Sequence, residues 1–187
     1  TRPKQWTKNL IIFLAFFFTV NEAWNPPDMG EMFSLAARTA LAFVIFSALS
    51  GAVYLINDVF DVEKDRVHPK KRFRPIASGK LPINVAWAGA TILFAGGLSS
   101  AFLLEPLFGG ISTAYVTLMI AYTIVIKRLI LLDVFAISAG FVLRAVAGAV
   151  VLGVPISPWL YICTGLGSLF LALTKRRSEL AIAGEHA

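Results

Sequence analysis

The sequence is poor in the residues that build most reactive centres. Among 187 residues there is one cysteine, Cys163, and two histidines, His68 and His186. A lone cysteine excludes a disulfide framework and a thiolate metal cluster within the chain. Two histidines without further ligands do not make a zinc site. There is no glycine-rich phosphate loop and no low-complexity tract. Charge is scarce too: Asp, Glu, Lys and Arg make up 15% of the chain against 57% hydrophobic residues, and the mean hydropathy is +0.74. That is too little charge to cover a soluble domain of this size.

What is abundant is apolar sequence in runs long enough for a bilayer, which needs about 20 residues per helix. Six segments qualify, near 5–20, 33–56, 81–104, 106–126, 129–154 and 158–173. The expected fold is an all-α polytopic membrane bundle of six transmembrane helices. The first segment has the shortest apolar core. It is read as a membrane helix anchored by Trp6 and Lys8, because "FFFTVNEAW" lacks the small-residue pattern of a leader cleavage site.

Charge placement orients the bundle. Arg2, Lys4 and Lys8 precede the first span, and Lys64, Arg66, Lys70, Lys71, Arg72, Arg74 and Lys80 follow the second. Lys127 and Arg128 follow the fourth, and Lys175, Arg176 and Arg177 follow the sixth. The connections on the other face carry Glu22, Asp28, Glu31 and Glu105, with Arg38 nearby. By the positive-inside rule the N-terminus and the 57–80 loop face the cytoplasm, with membrane lipids around the bundle. No nucleic-acid partner is expected.

The charge concentrates in "NDVFDVEKDRVHPKKRFRP", residues 57–75. If the second span stays helical up to Pro69, which disfavours helix at the residue before it, Asp58, Asp61 and Asp65 fall within an arc of about 60°. Asn57 lies on the same side. Three carboxylates on one face repel unless a cation sits among them. Hard oxygen ligands of this kind suit Mg²⁺, which takes one or two carboxylates together with substrate phosphates and water. Lys71, Arg72 and Arg74 follow at once, and guanidinium forks match phosphate oxygens. Asn57, Asp58, Asp61 and Asp65 are therefore the expected metal ligands, beside a diphosphate. A plain positive-inside loop would explain the bases but not three aspartates on one face.

The stretch "NDVFDVEKD" resembles the N-D-x-x-D-x-x-x-D motif of the UbiA superfamily of intramembrane prenyltransferases. "YTIVIKR", Tyr122 to Arg128, is similar to that family's Y-x-x-x-x-KR element. The resemblance implies a single UbiA-type domain over 1–187, the N-terminal part of a nine-helix fold and lacking its last three helices. It also implies that Mg²⁺ holds a diphosphate at Asp58, Asp61 and Asp65, with Tyr122, Lys127 and Arg128 contacting substrate. Where relatives that prenylate aromatic acceptors carry a second D-x-x-x-D motif, this chain reads "TKRRSEL", leaving Glu179 beside Lys175, Arg176 and Arg177. That much positive charge suits two anionic substrates, which repel each other unless screened.

Three further stretches, 2–9, 68–79 and 133–148, resemble the branch of the superfamily that transfers phosphoribosyl to decaprenyl phosphate. For this chain the resemblance implies phosphoribosyl pyrophosphate as donor and a polyprenyl phosphate as acceptor, in the making of a cell-wall arabinose precursor. Two other classes stand beside it. One is prenyl transfer to an aromatic or other small acceptor, disfavoured by the "KRRSE" replacement. The other is an anion-binding or transport protein, disfavoured because the acidic cluster lies at the membrane boundary and not at the midplane.

Two charges fall inside the fifth span. Arg144 lies deep enough that an unpaired charge costs at least about 2.5 kcal/mol, so it is expected to face the interior and meet an anion. Asp133 is eleven residues away, about 16 Å along a helix, too far to pair with it. Arg144 is read as a contact to a substrate phosphate or a link to the acidic cluster, or else as a charge held by a structural partner on another helix or snorkelling near the membrane surface. Asp133 is read as a substrate contact or a helix-terminal carboxylate. Lys8 has the acceptor phosphate within reach, or else serves as an interfacial anchor. His68 is expected to cap the end of its helix.

Overall fold

The computed structural model describes residues 3–20, 29–155 and 158–184. Among these residues the protein is helical throughout, without a strand. A 3-10 segment, Pro3–Phe13, runs into a short helix α1, Leu14–Phe18. The long α2, Met29–Phe60, is followed by α3, Val62–Val67, and by a 3-10 turn at Lys71–Phe73. Then come α4, Ile83–Leu104, α5, Pro106–Ile124, a 3-10 turn at Ile126–Arg128, α6, Ile130–Leu152, and α7, Pro158–Gly184.

Local sequence sets most of these ends. Pro106 opens α5 at a first-turn position, where its missing N–H costs nothing. Gly153 closes α6 in the left-handed conformation at φ 66°, which glycine adopts without a side-chain penalty. Between α4 and α5 the chain turns at Glu105, and Arg38 of α2 locks that corner. Its guanidinium lies 3.4 Å from the Glu105 carboxylate and donates to the Leu104 carbonyl at 3.3 Å.

Four helices are long and apolar enough to cross a membrane: Met29–Phe60, Ile83–Leu104, Pro106–Ile124 and Leu132–Leu152. The first and last expected spans are shorter apolar helices, Gln5–Phe18 and Pro158–Thr174. The first is wound as a 3-10 segment, which at about 2.0 Å per residue extends further than an α-helix of equal length. The last helix continues beyond its apolar part to Gly184, so the basic run near residue 175 extends a helix and is not part of a loop.

The core centres on α2, which packs against α4, α5, α6 and the N-terminal 3-10 segment. Ile45, Phe46 and Leu49 of α2 meet Phe108 and Tyr115 of α5, Ala147 and Val151 of α6, and Ile12. At about 1.5 Å per residue α2 is about 48 Å long, well beyond the hydrocarbon thickness. Its last turns carry Asn57 and Asp58 out of the apolar zone.

The N-terminal segment lies directly on α6 at Gly148, where a Cβ would stand 2.1 Å from the Ile12 carbonyl oxygen. Backbone that close leaves room only for glycine. Gly148→Ala is expected to push the segment off α6 and lower thermal stability in detergent by about 1–3 kcal/mol, as overpacking does. Gly96→Ala, with nothing within 4 Å of the added Cβ, is the control and should be neutral or slightly stabilising. Equal melting temperatures for the two variants would show that the contact bears no load.

Candidate active site

The acidic ladder forms much as its spacing predicts, with one break. α2 ends at Phe60, Asp61 leaves helical geometry at φ −98° and ψ 5°, and α3 begins at Val62. The hydrogen-bonded path continues through the break: Asp61 N–H donates to the Asn57 carbonyl at 3.0 Å, and Asp65 N–H to the Asp61 carbonyl at 2.8 Å. The helical course ends at His68, extended at ψ 132° ahead of Pro69. The His68 Nδ1 accepts from the backbone N–H groups of Lys70 and Lys71, both at 3.2 Å. That cap reverses the chain and brings Arg74 back over the ladder.

Arg74 is the hinge of the arrangement. Its Nη1 lies 3.4 Å from Asp58 Oδ1 and 2.5 Å from Asp65 Oδ2. Asp58 and Asp65 are both buried, and Arg74 is half-buried. Asp61 turns to another element: Lys127 Nζ, just past α5, donates to its Oδ1 at 2.6 Å. Asn57 Oδ1 accepts from the Thr123 hydroxyl at 3.5 Å. Two separate elements thus deliver one cation each to one ladder of carboxylates. A small cavity of about 50 Å³ beside Asp58 is walled by Tyr54, Pro75 and Ile76, among others.

Not every expected residue joins this cluster. Lys71 and Arg72 are exposed on the 3-10 turn, and the Arg72 guanidinium stacks over the Phe73 ring at 4.9 Å. Lys8 is exposed on the N-terminal segment, and Tyr122 is half-buried one residue before Thr123. The side chains of Arg128, Lys175, Arg176 and Glu179 lie outside the described residues. Asp133 stands in the first turn of α6, and its Oδ1 is buried with no hydrogen-bond partner among the described residues.

The expectation of an anion for Arg144 is corrected by its surroundings. Arg144 is buried, and each partner it has among the described residues is neutral. Its Nε donates to Asn9 Oδ1, its Nη1 to the Gly140 carbonyl and its Nη2 to the Tyr115 hydroxyl, each at 2.8 Å. The guanidinium also lies 4.7 Å from the Tyr115 ring centroid and 5.2 Å from that of Phe141. Asn9 in turn donates to Ser47 and Ser50 of α2, both at 3.0 Å. Dipoles and aromatic faces replace the carboxylate. Sequence reasoning missed Asn9, Tyr115 and Thr123, which carry no charge and belong to no recognisable spacing.

For a metal, the oxygen-rich donor set fits a hard divalent cation in its chemistry. Asp58 and Asp65 already converge on one cationic nitrogen. Asp61 is committed elsewhere, and no group of three His, Cys, Asp or Glu side chains converges among the described residues.

An intramembrane helical bundle with an acidic ladder and bases at one end is the architecture on which known proteins can be compared. The chain belongs to the UbiA prenyltransferase family, which matches residues 9–178, and it is accordingly a multi-pass membrane protein. Over 97% of its length it is 37% identical to decaprenyl-phosphate phosphoribosyltransferase of Mycolicibacterium smegmatis, covering 56% of that protein. The corresponding protein of Corynebacterium glutamicum is 38% identical, again over 97% of this chain and 53% of its own length. A digeranylgeranylglyceryl phosphate synthase of Methanococcoides burtonii is 39% identical over 48% of the chain and 31% of its own. The chain spans rather more than half the length of the phosphoribosyltransferases it matches.

The two cations of the site differ from their neighbours in a measurable way. Removing Arg74 leaves two buried carboxylates without their shared partner, and breaking such a pair costs about 3–5 kcal/mol. Arg74→Met is expected to destabilise the protein strongly in thermal unfolding. Arg72→Met, on the exposed turn, should shift it by less than about 0.5 kcal/mol. Similar losses in both would remove Arg74 from its central place.

Proposed function

We propose that the protein transfers 5-phosphoribosyl from phosphoribosyl pyrophosphate to a polyprenyl phosphate of the decaprenyl type, releasing pyrophosphate. One observation carries this reading. An acidic ladder and two cations from separate elements meet at one end of a membrane bundle, in a chain aligned over 97% of its length with decaprenyl-phosphate phosphoribosyltransferases.

The chemistry asks little of the side chains as acids or bases. A phosphate oxygen of the acceptor attacks the anomeric carbon, and the bond from that carbon to the pyrophosphate oxygen breaks. A phosphate monoester is already an anionic nucleophile near neutral pH, so no general base is required. Mg²⁺, held by Asn57, Asp58, Asp61 and Asp65, would neutralise charge growing on the leaving pyrophosphate. Arg74, Lys127 and Arg128 supply fixed positive charge for the diphosphate oxygens. Lys71, Arg72, Lys175 and Arg176 enlarge the basic rim, and Lys8, Tyr122 and Glu179 complete the proposed set of substrate-facing residues. The charge asymmetry supports six spans with the site on the cytoplasmic side, and the family membership supports reading them as part of a nine-helix fold in a bacterial inner membrane. The product, a lipid-linked pentose phosphate, would serve as a precursor of wall arabinan.

Prenyl transfer from a prenyl diphosphate is the second reading, favoured by the match to the digeranylgeranylglyceryl phosphate synthase. The two separate cleanly in detergent with radiolabelled substrates. Phosphoribosyl pyrophosphate plus polyprenyl phosphate should move label into the organic phase, and the matching polyprenol, lacking the anionic oxygen, should give none. Prenylated product from a prenyl diphosphate, with no pentose-lipid, would overturn the first reading. Asp61→Ala is expected to lower turnover at least about 100-fold, the scale of losing an electrostatic group in the transition state. It should do so while leaving the bundle folded, since Asp61 lies at the helix end.

A further inference from the structure

Asp133 is a carboxylate near this end of the bundle that the acidic ladder does not include. Its position follows from the packing of α5 on α6. Gly140 faces α5 at Met119 and Tyr115: a Cβ there would lie 3.1 Å from the Met119 Cε and 3.8 Å from the Tyr115 ring. Four residues on from Met119 is Thr123, whose hydroxyl reaches Asn57. Seven residues back from Gly140 is Asp133. At about 1.5 Å per residue these are steps of about 6 Å and 10.5 Å in the same direction. Asp133 therefore stands about 4.5 Å beyond Thr123, between the levels of Asn57 and Asp61. It also shares a helix face with Gly140 and Arg144, seven and eleven residues on, and that face looks into the bundle.

The chemistry around it is unlike that of the ladder. Asp58, Asp61 and Asp65 each hold a basic partner. Asp133 Oδ1 is buried and has no donor among the described residues. A buried acceptor left without a donor bears its full desolvation cost, larger for a charged group than a neutral one. The ligand that meets it must bring a hydrogen-bond donor. A phosphate brings none and is repelled by a carboxylate.

We propose that Asp133 accepts a hydrogen bond from a secondary hydroxyl of the donor's pentose ring, and so selects a hydroxylated sugar. The assignment rests on the phosphoribosyl reading above. In a phosphoribosyl diphosphate the ring is joined directly to the diphosphate, so a diphosphate held at the ladder places the ring hydroxyls beside it. Asp133 turns those hydroxyls inward and keeps the 5-phosphate away from its own face. It also places negative charge near the ring, where positive charge develops as the anomeric bond breaks.

The test compares three donors on the full chain in detergent: the ribosyl diphosphate and its 2-deoxy and 3-deoxy counterparts, each with polyprenyl phosphate. Wild-type protein is expected to favour the ribosyl donor in kcat/KM over at least one deoxy donor by about tenfold to a hundredfold, the factor a hydrogen bond to a charged group carries. In Asp133→Ala that ratio should fall to within about twofold, because neither donor now has the partner. Asp133→Asn keeps the volume and one acceptor oxygen, so it reads the same ratio if the alanine variant does not fold, with a smaller fall expected. A ratio unchanged in the variants, with all three donors slowed equally, would mean a structural role and overturn the assignment alone. Wild-type protein that forms no pentose-lipid from any donor would overturn the transferase reading and the assignment with it.

Discussion

The hydrocarbon core of a bilayer supplies no hydrogen-bond partners. Each polar group in this chain must be satisfied from within the bundle or carried to one of its ends. The chain does both. In the interior, Arg144 is met by Asn9, Tyr115 and the Gly140 carbonyl, while Asn9 spends its own donors on Ser47 and Ser50. That single network joins the N-terminal segment to α2, α5 and α6. At one end, the ladder's charges gather on the end of α2, on α3 and on the segments that follow α3 and α5. The length of α2 connects the two solutions, since one helix carries Ser47 in the core and Asp58 in the ladder.

The parts legible in the sequence are those governed by local rules. Apolar runs gave the helices, and the four-residue step from Asn57 to Asp61 and from Asp61 to Asp65 gave the ladder, because one α-helical turn stacks such residues. His68 before Pro69 marked the end of that helix. The parts that stayed hidden depend on where distant segments meet. Arg72 and Arg74 read alike as guanidinium groups, yet the turn capped by His68 sends one to stack on Phe73 and the other onto Asp58 and Asp65. Arg144 announced itself as a buried charge, but its neutral side-chain partners sit 135 and 29 residues away, and no spacing rule links them. The 3-10 winding of the first segment was equally invisible, since its composition reads as an ordinary apolar helix.

The formal charges of the ladder constrain how a diphosphate would enter. Among the described residues three carboxylates face two cations there, so the ladder itself is not positive. A polyanion arriving alone would meet as much repulsion as attraction. Added positive charge must accompany it, and the oxygen-rich donor set makes a divalent cation the natural companion on the proposed reading. The exposed bases have a different part. Lys70, Lys71 and Arg72 stand out from the bundle beside the ladder, where their field attracts an anion from a distance and weakens as salt increases. Arg74 and Lys127 are already held by aspartates, so they act only at contact, when phosphate oxygens compete for the same N–H groups. Attraction and ordering thus fall to different residues of one basic segment. Salt should erode the first and leave the second largely untouched, since half-buried pairs are screened far less than exposed charges.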